Sequence, residues 1–259
     1  MTERPTKDEA IELINAGFNT VLEKQAFDCT APIFWYDPQA IRGSRILHNG
    51  TMFFLRLPDA LIGVTADHVY KRYLDDVAQN ASVRCRLNLL EFDLCSRLLD
   101  RSEEQELDLA TFKINKEDLS QLGCVAHTPP RGWPPNPIQQ GRGVAFLGYP
   151  GIYREEGEDR VYWTPYSALT VVKVVADDRI VVQFEREYQV NRRDKKAAPP
   201  NVWLGGMSGC PLFGLWESPV VYLQIAGVGL EFNERLEIAR FIPINYIQID
   251  GHITKAIDN

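Results

Sequence analysis

Hydrophobic positions along the chain change their spacing once. Between Thr6 and about Phe27, residues Ile11, Ile14, Phe18, Val21 and Leu22 recur at steps of three and four, the period of a helix with one apolar face. Thr6 is placed to cap that helix, and Asp8 and Glu9 suit the positive end of its dipole. From Ala31 onward the apolar residues fall into short runs rich in aromatic and β-branched side chains, separated by Pro, Gly, Asn and Asp. This pattern predicts strands over 33–36, 44–48, 51–57, 61–65, 84–92 and 108–114, with Asn49-Gly50 as a hairpin turn and a helical turn over 70–77. A second series is predicted over 143–148, 162–175, 179–188, 210–216, 220–230 and 240–244.

Many short strands with turn signals between them argue for barrel or sandwich architecture. A Pro-rich stretch over 127–141 separates the two series, so the economical reading is an all-β chain of two six-stranded antiparallel β-barrels. The predicted organisation is a helical extension over 1–30, a first barrel over 31–126, a connector over 127–141 and a second barrel over 142–259, closed by a short carboxyl-terminal helix.

Charge and cysteine content narrow the function classes. A net charge of −7 and a pI near 5.2 argue against nucleic acid as a partner, because phosphate binding needs concentrated positive charge. The apolar runs are short and interrupted by charge, so no membrane span is expected, and the first residues carry no signal-peptide pattern. Five cysteines in such a chain read most simply as free thiols, and the expected compartment is the cytoplasm. No phosphate loop or zinc-ligand spacing is present, so neither metal nor cofactor is expected. The charged clusters over 154–160 and 191–196 suit solvated loops; gating of a cleft is the functional alternative.

Candidate chemistry concentrates in Gly205-Gly206-Met207-Ser208-Gly209-Cys210-Pro211. Glycine loses more backbone entropy on folding than any other residue, so this spacing around one hydroxyl suggests a tight turn. Such a turn can present a nucleophile beside backbone donors for an oxyanion. It equally suits a glycine-rich hairpin before a strand, and a base with its orienter elsewhere decides between them. His68 follows an apolar strand in Thr65-Ala66-Asp67-His68-Val69, and Asp108 opens one in Asp108-Leu109-Ala110. Either residue alone is an ordinary structural feature. Asp67, beside His68, suits capping of the turn that follows and points away from a neighbour on a strand.

Taken together, the stretches resemble the trypsin/chymotrypsin-like serine peptidases. Gly50-Thr51-Met52-Phe53-Phe54, Thr65-Ala66-Asp67-His68-Val69, Asp108-Leu109-Ala110 and Gly206-Met207-Ser208-Gly209-Cys210-Pro211 are similar to that family's segments, in its order His, Asp, Ser. Phe146-Leu147-Gly148-Tyr149-Pro150-Gly151 is similar to a strand end of bacterial, high-temperature-requirement-like members. The resemblance implies Ser208 as nucleophile, His68 as base, Asp108 as its orienter, and the N–H groups of Gly206 and Ser208 as oxyanion hole. Met207 stands where trypsin-type zymogens carry an acidic residue, which points to an intracellular bacterial-type member without trypsin-style activation. Cys210 reads as a buried thiol, since related cysteine nucleophiles occupy the serine's own position.

For specificity, the resemblance puts the pocket floor at Val202 beside Trp203, and the opposite wall at Gly227, Val228, Gly229, Leu230 and Glu231. An apolar floor implies an apolar or small residue at the cleaved position. The expected function is a serine endopeptidase acting on a limited set of protein or peptide substrates, restrained by a regulatory protein partner. Two alternatives stay open: a silent pseudo-protease that binds peptides, and an esterase on the same fold.

Overall fold

The computed structural model of the chain describes residues 19–40, 46–102, 107–157, 160–184, 203–217 and 221–254. Helix α1 (Asn19–Asp28) is the end of the predicted amino-terminal helix, whose residues 6–18 lie outside the described set. It terminates where the Thr30 hydroxyl donates back to the Ala26 carbonyl.

The first strand series comprises β1 (Thr30–Tyr36), β2 (Ile46–Arg56), β3 (Leu61–Thr65), β4 (Arg84–Leu87), β5 (Leu90–Glu91), β6 (Leu98–Arg101) and β7 (Ala110–Lys113). They build one curled antiparallel sheet of seven strands in the order β5-β4-β1-β2-β3-β7-β6. Helix α2 (Asp67–Gln79) follows β3, the single turn α3 (Leu94–Arg97) leads into β6, and α4 (Lys116–Leu122) follows β7. Helix α4 carries a full capping box, Asn115 with Asp118, and stops at Gly123 in the left-handed region.

In the second series, β8 (Gly143–Gly148) is followed by the small hairpin β9 (Arg154–Glu156) and β10 (Val161–Trp163). Strands β11 (Tyr166–Ala176), β12 (Arg179–Gln183), β13 (Pro211–Glu217), β14 (Val221–Asn233) and β15 (Ile238–Pro243) close with β8 into a barrel, ordered β11-β12-β15-β14-β13-β8. The carboxyl-terminal helix was expected in residues that fall outside the described set; before them is only a 3₁₀ turn, Ile244–Tyr246.

Strand β2 ties the halves together because both of its faces are buried. Met52 and Phe54 enter the core of the first sheet, whereas Phe53 and Leu55 enter a second core shared with Leu147, Phe213, Ile225, Val228 and Ile242 of the barrel. Full burial of each such side chain is worth about 2 kcal/mol, so the seam is a core rather than a wet crevice.

One turn prediction and two strand predictions are corrected. Asn49-Gly50 is no hairpin: β2 runs straight through both residues, pairing Asn49 with Phe34 and Gly50 with Ile33. Gly50 is required there for space, since a Cβ would come within 2.8 Å of Val69 Cγ1. The run 84–92 is not one strand but the hairpin β4–β5, reversed at Asn88 with φ of +48°. The run 162–175 likewise divides into β10 and β11 around Pro165, which has no N–H to offer a ladder.

Candidate active site

Helix α2 starts without a cap of its own, because Ala66 at the capping position has no oxygen to accept a first-turn N–H. Asp108, just ahead of β7, supplies the missing acceptor from a different strand. Its Oδ1 accepts the His68 backbone N–H at 2.7 Å, and its Oδ2 meets His68 Nδ1 at 2.5 Å. A carboxylate has no proton to give, so Nδ1 carries the hydrogen of this bond and donates it to Asp108. The His68 side chain is 47% exposed while Asp108 is 21% exposed, which leaves the ring accessible and its orienter shielded. Both line an open cavity of about 290 Å³, with Asp67, Lys71, Arg101, Ser102 and Leu107. Asp67 does not cap the helix through its side chain; it forms a two-point ion pair with Arg101.

Ser208 lies on the loop entering β13, and the first sheet holds that loop. Gly206 and Gly209 have φ of +100° and +87°, a region costly for any other residue. A Cβ at Gly206 would lie 2.1 Å from Asn49 Nδ2, and one at Gly209 would lie 2.1 Å from the Thr51 carbonyl oxygen. Thr51, fully buried, donates its N–H to the Ser208 carbonyl at 2.9 Å and its hydroxyl to the Gly206 carbonyl at 3.0 Å. The same hydroxyl accepts the Tyr149 N–H at 3.0 Å, and Asn49 donates to the Tyr149 carbonyl at 2.9 Å.

Two further bonds aim the loop's free donors. Gly151 N–H donates to the Gly205 carbonyl at 2.8 Å, and Cys210 N–H donates to the Met207 carbonyl at 3.0 Å. In a trans peptide the N–H points opposite to the carbonyl, so these bonds turn the N–H groups of Gly206 and Ser208 away from the protein contacts. Neither N–H has a partner among the described residues. The Met207 side chain is fully buried in the barrel core and pins the loop from below.

The three predicted catalytic residues are thus only partly joined. His68 and Asp108 are engaged with each other, whereas the Ser208 hydroxyl donates to the Leu230 carbonyl at 3.4 Å. Among the described residues no hydrogen bond links Ser208 to His68. Leu230 is skipped in the β14–β15 ladder, which steps from Gly229 to Glu231, so its carbonyl is left over for other donors. Cys210 is fully buried and burial pushes its thiol well up, which removes it as a thiolate nucleophile.

Val202 of the predicted pocket lies outside the described residues. Trp203 is 67% exposed, with its indole lying against Gly205. Val228 points into the shared core, Gly227 is packed on the Ile242 carbonyl and Gly229 on Cys210. Glu231 pairs with Arg240 at 2.8 Å on the surface. The sequence reading missed Asn49, Thr51 and Gly151, which aim the Ser208 loop. The available signal was Gly50-Thr51 after a polar residue inside an otherwise apolar strand, a place where another backbone approaches closely. Among the described residues, no cluster of His, Cys, Asp or Glu could hold a metal ion, and no helix is long and apolar enough to cross a membrane.

Comparison with known proteins yields no matching family profile and no matching curated protein. Among solved structures, the chain is similar to Deg5, at 16% identity and a TM-score of 0.51, over 94% of this chain and 93% of that one. The fold is chymotrypsin-like. The serine protease domain of the Sesbania mosaic virus polyprotein also matches, at 13% identity and a TM-score of 0.45, over 84% of this chain and 89% of that one. In this chymotrypsin-like chain the first half is the seven-stranded curled sheet and the second the closed barrel.

Proposed function

We propose that the chain is a serine endopeptidase that acts through Ser208, His68 and Asp108. The observation that carries the reading is the His68–Asp108 pair, in which Nδ1 donates to the carboxylate, together with a loop whose Gly206 and Ser208 N–H groups have no partner among the described residues. In this reading Nε2 takes the Ser208 proton as Oγ attacks a peptide carbonyl, and Asp108 stabilises the imidazolium. The two N–H groups receive the oxyanion, and His68 then returns the proton to the leaving amine. Beyond Gly229, β14 has no partner on its β13 side among the described residues, so a peptide can add there as a strand. Its N–H would compete for the Leu230 carbonyl and release the Ser208 hydroxyl toward His68. Exposed Trp203 beside Gly205 favours an apolar substrate side chain. We further propose that the substrates are few and that a protein partner regulates access.

The Ser208–Leu230 hydrogen bond specifically favours a second reading, a peptide-binding module that has lost turnover. Labelling of the purified chain by a fluorophosphonate, beside Ser208→Ala and Cys210→Ala, separates the two. The protease reading expects labelling that is lost only in Ser208→Ala. Absence of labelling in every form, with and without an added peptide, sinks it.

A further inference from the structure

The residues that hold His68 and Asp108 are themselves held by two consecutive residues, the last of strand β6 and the one after it. Arg101 ends β6, and Ser102 follows it. The Arg101 guanidinium forks onto Asp67, with Nε to Oδ1 at 2.8 Å and Nη2 to Oδ2 at 2.9 Å. Asp67 immediately precedes His68, and the pair is well shielded, with side-chain exposures of 20% and 13%. The guanidinium also lies over the Tyr70 ring, 5.4 Å from its centroid, one turn further along α2. These contacts tie the end of β6 to the start of α2, although β7 separates β6 from β3 in the sheet.

Ser102 does for Asp108 what Arg101 does for the base. It is 1% exposed, and its hydroxyl donates to the Leu107 carbonyl at 2.7 Å and accepts the Leu109 N–H at 2.8 Å. Its own N–H donates to the Leu109 carbonyl at 2.9 Å. The residues on either side of Asp108 are therefore fastened to one buried side chain, and the carboxylate between them is aimed at the start of α2. A serine with these bonds inside a folded chain is common; one adjacent to the arginine that clamps the residue before the base is a specific arrangement.

We propose that Arg101 and Ser102 are positioning residues that fix His68 and Asp108 relative to each other, a role that rests on reading the pair as base and orienter. Arg101 sets the helix end that bears His68 and neutralises Asp67 beside it, while Ser102 sets the carboxylate. Among the described residues, the charges that line the cavity at the ring are Asp67 and Lys71 on α2, Asp108 ahead of β7, and Arg101 from β6. The structural alternative is a plain surface ion pair, which contributes little and would leave the chemistry alone.

The test uses the full chain and follows the His68 ring by NMR across pH, together with the low-field Nδ1–H signal identified by its loss in His68→Gln. In Arg101→Met the unpaired Asp67 carboxylate favours the protonated ring, so the pH dependence of the ring signals moves upward. In Asp67→Asn the Arg101 cation remains, so it moves downward, and the double variant returns toward the unaltered chain. In Ser102→Ala the low-field signal is lost and labelling at Ser208 falls about tenfold at every pH, with Ser102→Thr restoring most of both. Arg101→Lys and Asp67→Asn carry the test should Arg101→Met or Ser102→Ala fail to fold. Unmoved ring signals in the folded variants, or shifts of the same sign in Arg101→Met and Asp67→Asn, would overturn the proposal. The ring signals need no turnover, so a chain that fails to label still tests this positioning role separately from the protease reading.

Discussion

The two walls of the candidate site are built by different means. On the first sheet, side chains do the work: Asp108 grips both the backbone and the ring of His68, and polar groups brace it from behind. On the barrel, the Ser208 loop is fixed through its backbone, by Thr51, Gly151 and glycines in the left-handed region, while its hydroxyl is turned to Leu230. A side-chain pair can be complete before substrate arrives, whereas a loop fixed by its carbonyls leaves the serine side chain free to rotate.

If the first wall is the finished half, removing its orienter should do the most damage. Asp108→Asn is expected to lower fluorophosphonate labelling by about 10⁴-fold, because an amide supports the wrong tautomer. Thermal unfolding should move down as well, since the amide also replaces the acceptor for α2. A fall of only a few fold would mean that the pair is structural.

On the second wall, Gly206→Ala should cost about 10²- to 10³-fold in labelling, the scale of one lost oxyanion donor. The added methyl collides with Asn49 and must displace either that side chain or the loop. Wild-type labelling in this variant would show that the loop adopts another conformation when it reacts. Thr51→Val keeps the shape and removes the hydroxyl that joins Gly206 to Tyr149, so about tenfold slower labelling is expected. Urea unfolding should report a loss of about 1–3 kcal/mol, the cost of leaving buried partners unsatisfied.

The smallest effect on labelling, and a control for the others, concerns His127, which lies outside the site. Burial lowers its pKa to about 4, and its ring packs edge-on to Phe213. Its folded value lies below the unfolded one, so it favours folding least in acid. Stability should be lost as the pH falls from about 6.5 toward 4, by up to about 3 kcal/mol. His127→Phe is expected to flatten that part of the stability curve and leave labelling at neutral pH unchanged. An acid limb of labelling that persists in His127→Phe would then belong to His68 rather than to unfolding.

The site's legibility divides along the same line as its construction. His68, Asp108 and Ser208 stood out because short motifs surround them, and the strand series followed from alternation bounded by turn residues. Asn49-Gly50 misled for a physical reason: the sequence pair that makes a tight turn also supplies a small residue and a reaching amide where two sheets meet. Only the partner across the seam, Gly206, distinguishes the two uses, and it lies far away in sequence. Arg101 and Ser102 carried no local signal, since an ion pair to Asp67 and a hydroxyl bonded to Leu107 and Leu109 are tertiary facts. The orientation of the Ser208 hydroxyl is a rotamer, which no pattern of residues encodes.

The core shared by β2, β3, β8, β13 and β14 has a further consequence for how the chain comes apart. Phe53 and Leu55 belong to it as fully as Phe213 and Ile225 do, so neither half holds a complete interior when severed from the other. Melting should therefore be a single cooperative event seen alike by tryptophan fluorescence and circular dichroism, and a fragment ending in the connector should remain unfolded. The His68–Asp108 pair and the Ser208 loop would then be lost together or not at all.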